Sequence, residues 1–275
     1  MIVDYHMHLR APRVHGLEPL EHSLEAVERF VERARERGVD EIAFTEHVYY
    51  FEQTREIWTV PYQANRATRD LEMYCDVLVE AKRRGLPVKL GLEVDYVDDA
   101  QQRLAELLKP YPVDLLLGSV HFIDGLAVDL APGAWDVLSV EEVWRLYVSC
   151  VCALARSGTV DVLAHPDLAK IFGSRPAPTV LAALHTELAE AAAGADLAVE
   201  VSSAGLRKQV REIYPDQGLL QACHERGVPI TTASDAHEAH LVGEDLGAAV
   251  EHARAAGYDV VAVFDGRLRT LQPMG

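Results

Sequence analysis

Six histidines of this chain stand at or just after short apolar runs. They are His6 and His8 in "IVDYHMH", His47 in "EIAFTEH", His121 in "VDLLLGSVH", His165 in "VDVLAHPD" and His237 in "ITTASDAH". Carboxylates share these positions: Glu46, Glu93 and Asp95 in "FTEH" and "GLEVD", then Asp167, Glu200 and Asp235. A lone histidine after a strand is more often a hydrogen-bonded structural residue than a ligand. Here, however, half of the chain's 12 histidines fall on these few positions. Imidazoles mixed with carboxylates suit zinc, manganese or iron, and no thiolate accompanies them to suggest a purely structural zinc site. His6 and His8, two apart on an extended chain, point to the same side and can reach one ion. Six imidazoles with Glu93 and Asp235 are more than one ion coordinates. Two or three divalent transition metal ions are therefore expected, with a carboxylate bridging. Clusters of that kind are the usual machinery of phosphoester hydrolysis.

Something must bring residues so far apart in sequence together. Helix-like runs end in glycine and a short apolar run follows each: Gly38, Gly85, Gly158, Gly194, Gly227 and Gly257 mark these junctions, and Pro110 with Pro112 mark one more. Leu24, Val27, Val31 and Ala34 share one helical face, as do Leu71, Cys75, Leu78 and Ala81. Ser139 and Glu142 have the spacing of a capping box. The strand-like runs are continuously apolar, as expected of parallel strands covered on both faces. Strand and helix alternate from end to end without a linker, so the chain reads as one α/β domain over residues 1–275. Seven or eight such units predict a barrel of the TIM type or a distorted relative, with chemistry at the C-terminal ends of the strands. The eighth run, "VVAVFDG", offers only Asp265. A doubly wound open sheet would more usually show a glycine-rich phosphate loop after the first strand, and none is present.

Composition narrows the function. The 275 residues carry a formal net charge of −17, which disfavours a nucleic-acid partner. No apolar run is long enough to span a membrane. The apolar run from Ile2 leaves no room for a signal peptide, so a cytoplasmic location is expected. Cys75, Cys150, Cys152 and Cys223 form no C-x-x-C pair and read as buried free thiols.

"DYHMH", "FTEH", "GLEVDY", "GSVHFIDG", "LAHPDL", "EVSSAGLRKQVREIYP" and "PITTASDAH" follow one another in the order seen in a known family. The chain resembles the PHP (polymerase and histidinol phosphatase) superfamily, and its histidinol-phosphate phosphatase branch in particular. The resemblance runs from end to end and implies a distorted (β/α)7 barrel with a trinuclear metal site. It implies one ion on His6, His8, Glu93 and Asp235, a second on Glu93, His121 and His165, and a third on His15, His47 and His237. Asp235, His237 and Glu93 would carry the catalysis. His15, in the loop "RAPRVHG", would rate as ordinary surface without the family pattern.

Arg207 and Lys208 match the family's "GLRK" loop, where cationic groups beside metals suit a phosphate dianion. Without that setting they would read as a solvated basic loop. Lys170 is a further candidate phosphate contact. Glu238-Ala239-His240 and Asp216-Gln217 depart from the family pattern near where the alcohol part of a substrate should sit. The function implied is hydrolysis of L-histidinol phosphate in histidine biosynthesis, with the carboxylates Glu46, Asp95, Asp167 and Glu200 available to form an acidic mouth for the cationic alcohol. The alternatives are a related phosphoesterase acting on nucleotide or sugar phosphates, a nuclease, or a non-catalytic metal-binding barrel. The substrate expected is a small phosphorylated molecule.

Overall fold

The computed structural model describes residues 1–9, 21–135 and 137–275. Strands β1 (Val3–Asp4), β2 (Glu41–His47), β3 (Val88–Asp95) and β4 (Leu115–Ser119) pair in parallel. A small hairpin of β5 (Phe122–Ile123) and β6 (Leu126–Ala127) interrupts the series. The parallel sheet then resumes with β7 (Val162–Leu163), β8 (Ala198–Ser202) and β9 (Ile230–Ala233). The seven-stranded sheet runs in the order β1-β2-β3-β4-β7-β8-β9. Its two edges meet where Tyr5 N donates to Thr232 O and His8 N donates to Ala236 O, with Met7 bridged to Ala236 in parallel. The result is a nearly closed barrel.

Helices α1 (Leu24–Glu36), α2 (Pro61–Ala64), α3 (Leu71–Arg83), α4 (Gln101–Leu108), α5 (Val140–Arg156), α6 (Pro178–Gly194), α7 (Gln217–Glu225) and α8 (Leu246–Ala255) accompany the strands. Local chemistry sets their ends. Ser23 caps α1 by accepting from Ala26 N, and Ser139 with Glu142 forms the expected capping box on α5. Helix α1 buries Val27, Val31 and Ala34, and α3 buries Leu71, Cys75, Leu78 and Ala81, so both predicted apolar faces point inward. Gly38, just past α1, has φ 71°, a conformation in which a Cβ would clash. Gly194 differs from the expectation. It is the last residue of α6, and Asp196 takes the left-handed turn instead.

The eighth apolar run is not a barrel strand. It forms β10 (Val260–Asp265), which pairs antiparallel with β11 (Leu268–Pro273) in a separate hairpin. Gly266 N donates to Asp114 Oδ1, Arg267 pairs with Asp161 and Arg269 with Asp196. Those three aspartates precede β4, β7 and β8, so the hairpin closes the N-terminal end of the barrel. Val261, Ala262 and Phe264 pack there with Tyr5, Leu115, Leu117 and Val162 of the barrel interior. The C-terminal end is left open for a site. Among the described residues no helix is long and apolar enough to cross a membrane. The four cysteines are free, three buried and Cys150 partly so.

Candidate metal centre

Glu93 is the pivot of the open end. Register brings it beside His47, since the two are partners across β2 and β3. Its carboxylate is fully buried. Oε2 lies 3.3 Å from His6 Nε2, 3.6 Å from His8 Nε2 and 2.7 Å from His47 Nδ1. Oε1 lies 3.3 Å from His165 Nε2 and 3.5 Å from His121 Nε2. Asp235 Oδ1 joins from β9, 3.8 Å from His6 Nε2, 3.6 Å from His8 Nε2 and 3.5 Å from His237 Nδ1. Two of these residues hold backbones that L-residues seldom adopt: His165 at φ 29° and Asp235 at φ 51°. Such conformations gather where the surrounding structure enforces a functional geometry.

Donor chemistry tests whether metal ions fit. Among the described residues, His6 Nε2, His8 Nε2, His47 Nδ1 and Glu93 Oε2 are buried and make no hydrogen bond. Buried polar atoms are ordinarily paired, so a convergent set of unpaired lone pairs calls for a cation. Among the described residues, four groups of three donors lie close enough to share an ion: His6-His8-Asp235, His6-Glu93-His165, His47-Glu93-His121 and His8-His47-His237. The residues fit divalent metals. His15 lies outside the described residues.

A second layer of carboxylates aims the imidazoles. His6 Nδ1 is 2.7 Å from Glu200, His8 Nδ1 is 3.0 Å from Glu46 and His121 Nδ1 is 2.6 Å from Asp95. Each carboxylate accepts the Nδ1 proton, which leaves the Nε2 lone pair facing the centre. This corrects the expected acidic mouth. Glu46, Asp95, Asp167 and Glu200 are buried, and three of them stand behind histidines of the cluster rather than at the surface. The fourth, Asp167, pairs with Lys170.

Electrostatics follow from this packing. Burial disfavours a charged Glu93, but His47, His6 and His121 outweigh it and hold the carboxyl well below its ordinary range. Asp235 is held low in the same way, with Lys208 contributing. Burial likewise opposes charge on His121, yet Asp95 and Glu93 raise it to about 10. His47 goes the other way: burial lowers it, and cationic His8 and His121 add to that effect.

The expected phosphate contacts separate into different roles. Lys208 lines the cavity above the centre together with Asp235 and His237. Arg207 ends a tight turn, Ser203–Arg207, that follows β8. Its Nη2 donates to Ser234 O, while Nη1 is buried without a hydrogen bond among the described residues. Gly205 permits that turn, because a Cβ there would collide with the Glu212 carbonyl oxygen. Lys170 is different. It is fully buried, with Nζ 2.8 Å from Asp167 and 2.7 Å from Ile213 O, so its ammonium is engaged in the barrel wall and not offered to a ligand. Sequence reasoning passed over the cavity's aromatic wall of Tyr49, Tyr50, Tyr62 and Phe122, and over Asp129. The run "VYYF" directly after His47 held a signal for the first two. Tyr62 and Phe122 arrive only through folding.

Comparison with known proteins agrees with this geometry. A family model described as the PHP domain matches residues 6–204. A probable histidinol-phosphatase of Deinococcus radiodurans is 34% identical over 190 residues, covering 68% of this chain and 71% of that one. A histidinol-phosphatase of Bacillus subtilis is 26% identical over 247 residues, covering 80% and 90% respectively. The fold is shared with a histidinol phosphate phosphatase from Lactococcus lactis, solved with zinc, L-histidinol and phosphate, at a TM-score of 0.76 and 19% identity over 98% of both chains. Seven parallel strands that deliver imidazoles and carboxylates to one end, and a family model spanning the cluster residues from His6 to His165, place this chain in the PHP domain family.

Proposed function

We propose that this chain is a metal-dependent phosphatase that hydrolyses L-histidinol phosphate to L-histidinol and inorganic phosphate, as a step of histidine biosynthesis. One observation carries the reading: a buried carboxylate, Glu93, ringed by five imidazoles beneath a cavity that Lys208 lines. The curated relatives bear histidinol-phosphatase names, and the solved neighbour holds zinc, L-histidinol and phosphate, which supports the substrate.

Three ions are proposed, zinc, manganese or iron, on the sets His6-His8-Glu93-Asp235, Glu93-His121-His165 and His15-His47-His237. When bound, such ions lower the pKa of water and offset charge on phosphate oxygens. The chain's own groups do the rest. Glu93, ionised and closed off from solvent, balances the positive charge of the cluster. Asp235, also ionised, faces both the centre and the cavity. Arg207 and Lys208 supply cationic donors for the phosphate dianion, with Arg207 Nη1 making no hydrogen bond among the described residues. His237 has a side chain 30% exposed and reaches the cavity from beside Asp235.

The test is phosphate release from L-histidinol phosphate beside a panel of nucleotide and sugar phosphates, with elemental analysis of the same preparation. The expected outcome is a clear preference for L-histidinol phosphate, loss of activity on chelation and more than one transition metal per chain. Preference for a nucleotide or sugar ester would overturn the substrate. Full activity with one ion per chain would overturn the trinuclear site.

A further inference from the structure

Asp4 ends β1 and is fully buried. Among the described residues it belongs to no group of metal donors, and it does not line the cavity above the centre. Its carboxylate is nevertheless well occupied. Oδ1 accepts from Ser234 N at 2.8 Å, and Oδ2 accepts from Ser234 Oγ at 2.5 Å and from Gly243 N at 2.9 Å. These bonds tie the first strand to two segments that follow β9, 230 and 239 residues along the chain. The arrangement demands a carboxylate. An asparagine offers one acceptor oxygen, and in either orientation its NH2 would face the N–H of Ser234 or that of Gly243. A buried N–H would then lose its partner.

The same two segments hold the Ser203–Arg207 turn. Arg207 Nη2 donates to Ser234 O at one end of the turn, and Ser203 Oγ donates to Glu244 O at 2.6 Å at the other. Ser234 is bonded to Asp4 directly, and Glu244 follows Gly243. Ser234 also precedes Asp235, whose carboxylate faces the imidazoles and the cavity. An arginine side chain has many staggered conformers, and the bond to Ser234 O selects among them. The selected one leaves Nη1 buried and without a hydrogen bond among the described residues. Where Ser234 stands therefore sets where the guanidinium stands relative to Asp235.

We propose that Asp4 is a positioning residue for phosphate binding. It fixes Ser234 and Gly243, the anchors of the Arg207 turn, and so holds the Arg207 guanidinium in register with Asp235. The proposal rests on the reading of Arg207 as a phosphate contact. It gives the aspartate of "DYHMH" a task that neither metal ligation nor the cavity lining accounts for.

The experiment is a double-mutant cycle on metal-saturated protein: wild type, Asp4→Asn, Arg207→Ala and the double variant. The dissociation constant of inorganic phosphate is measured by calorimetry, with metal content determined on the same samples. Asp4→Asn should weaken phosphate binding by about tenfold, and no more than Arg207→Ala does. Added to Arg207→Ala, it should change the constant by less than about twofold, because a residue that acts through Arg207 has nothing left to position. A simple brace of the fold would instead weaken binding equally in both backgrounds, and that additivity overturns the proposal. Wild-type phosphate affinity in Asp4→Asn overturns it too, as does a deficit that disappears once metal content is restored. Should Asp4→Asn fail to fold, Ser203→Ala and Ser234→Ala each remove one tie of the same assembly. Weakening by either that vanishes in the Arg207→Ala background sustains the proposal, and wild-type affinity in both overturns it. Arg207→Ala that binds phosphate like wild type is a separate failure: it sinks the reading of Arg207, and this proposal with it.

Discussion

Glu93 touches five imidazoles with two oxygens, so among the described residues no other side chain concentrates as much of the site's chemistry. Glu93→Gln keeps the shape and removes the charge that makes a cluster of cations tolerable. Metal content measured after dialysis should fall with activity, while circular dichroism shows the barrel intact. Near-normal turnover with full metal content would place the bridge elsewhere. Arg207 acts by a different route. Its guanidinium is no metal ligand, so Arg207→Ala should leave metal content alone and remove a charge-assisted contact worth about 1.5–3 kcal/mol. That corresponds to a loss in kcat/KM of about ten- to hundredfold. A fall confined to KM would mean ground-state binding, and a matching fall in kcat would place the contact in the transition state. Wild-type kinetics would leave the phosphate to Lys208.

Among the elements, the C-terminal hairpin is the one whose role the sequence did not disclose. Its run "VVAVFDG" has the composition of a parallel barrel strand, but Gly266 and Arg267 turn the chain back on itself after Asp265. Phe264 is 2% exposed and belongs to the inner cluster with Tyr5 and Leu115. Phe264→Ala opens a cavity at the barrel floor and should cost about 3–5 kcal/mol, read as a shift of the urea midpoint. Metal content and KM should hold, because the hairpin sits at the opposite end from Glu93. A variant that keeps its midpoint but loses metal would show that the floor and the site are coupled.

At the scale of the whole molecule, one buried centre couples metal, protons and stability. In the metal-free chain His121 is raised to about 10 and His6 and His8 are also raised, each by neighbouring carboxylates acting against burial. A raised folded value stabilises the fold below the unfolded value of 6.5, and that contribution is lost as pH climbs through the folded value. Glu93 and Asp235 are depressed, so their contribution is present above their ordinary range and lost in acid. His47, lowered by burial, opposes the other imidazoles. Chelator-treated protein should therefore be most stable at about pH 5 to 6.5 and weaken towards pH 9, as measured by urea midpoints. Metal binding needs neutral imidazoles, so uptake near neutrality should release protons, which calorimetry in buffers of different ionisation enthalpy detects. A midpoint that rises steadily to pH 9 without metal would contradict these assignments.

Sequence alone determined the ligand types and the architecture that gathers them. Period, glycine punctuation and strand-end positions are local properties, and His6, His47, His121 and His165 sit at or within two residues of an apolar run that became a strand. The family resemblance added the ion sets. What tertiary structure decided was the function of each carboxylate and cation. Glu46, Asp95 and Glu200 look like Asp235 in sequence, yet the barrel turns them behind histidines while Asp235 faces the cavity. Lys170 and Lys208 are both lysines after a strand, and only Lys208 meets the cavity because Asp167 and the Ile213 carbonyl draw Lys170 into the wall. Side-chain direction depends on strand register and on partners 26 to 194 residues away. A motif can place a charge at the end of a strand, but only the closed barrel decides which way it points.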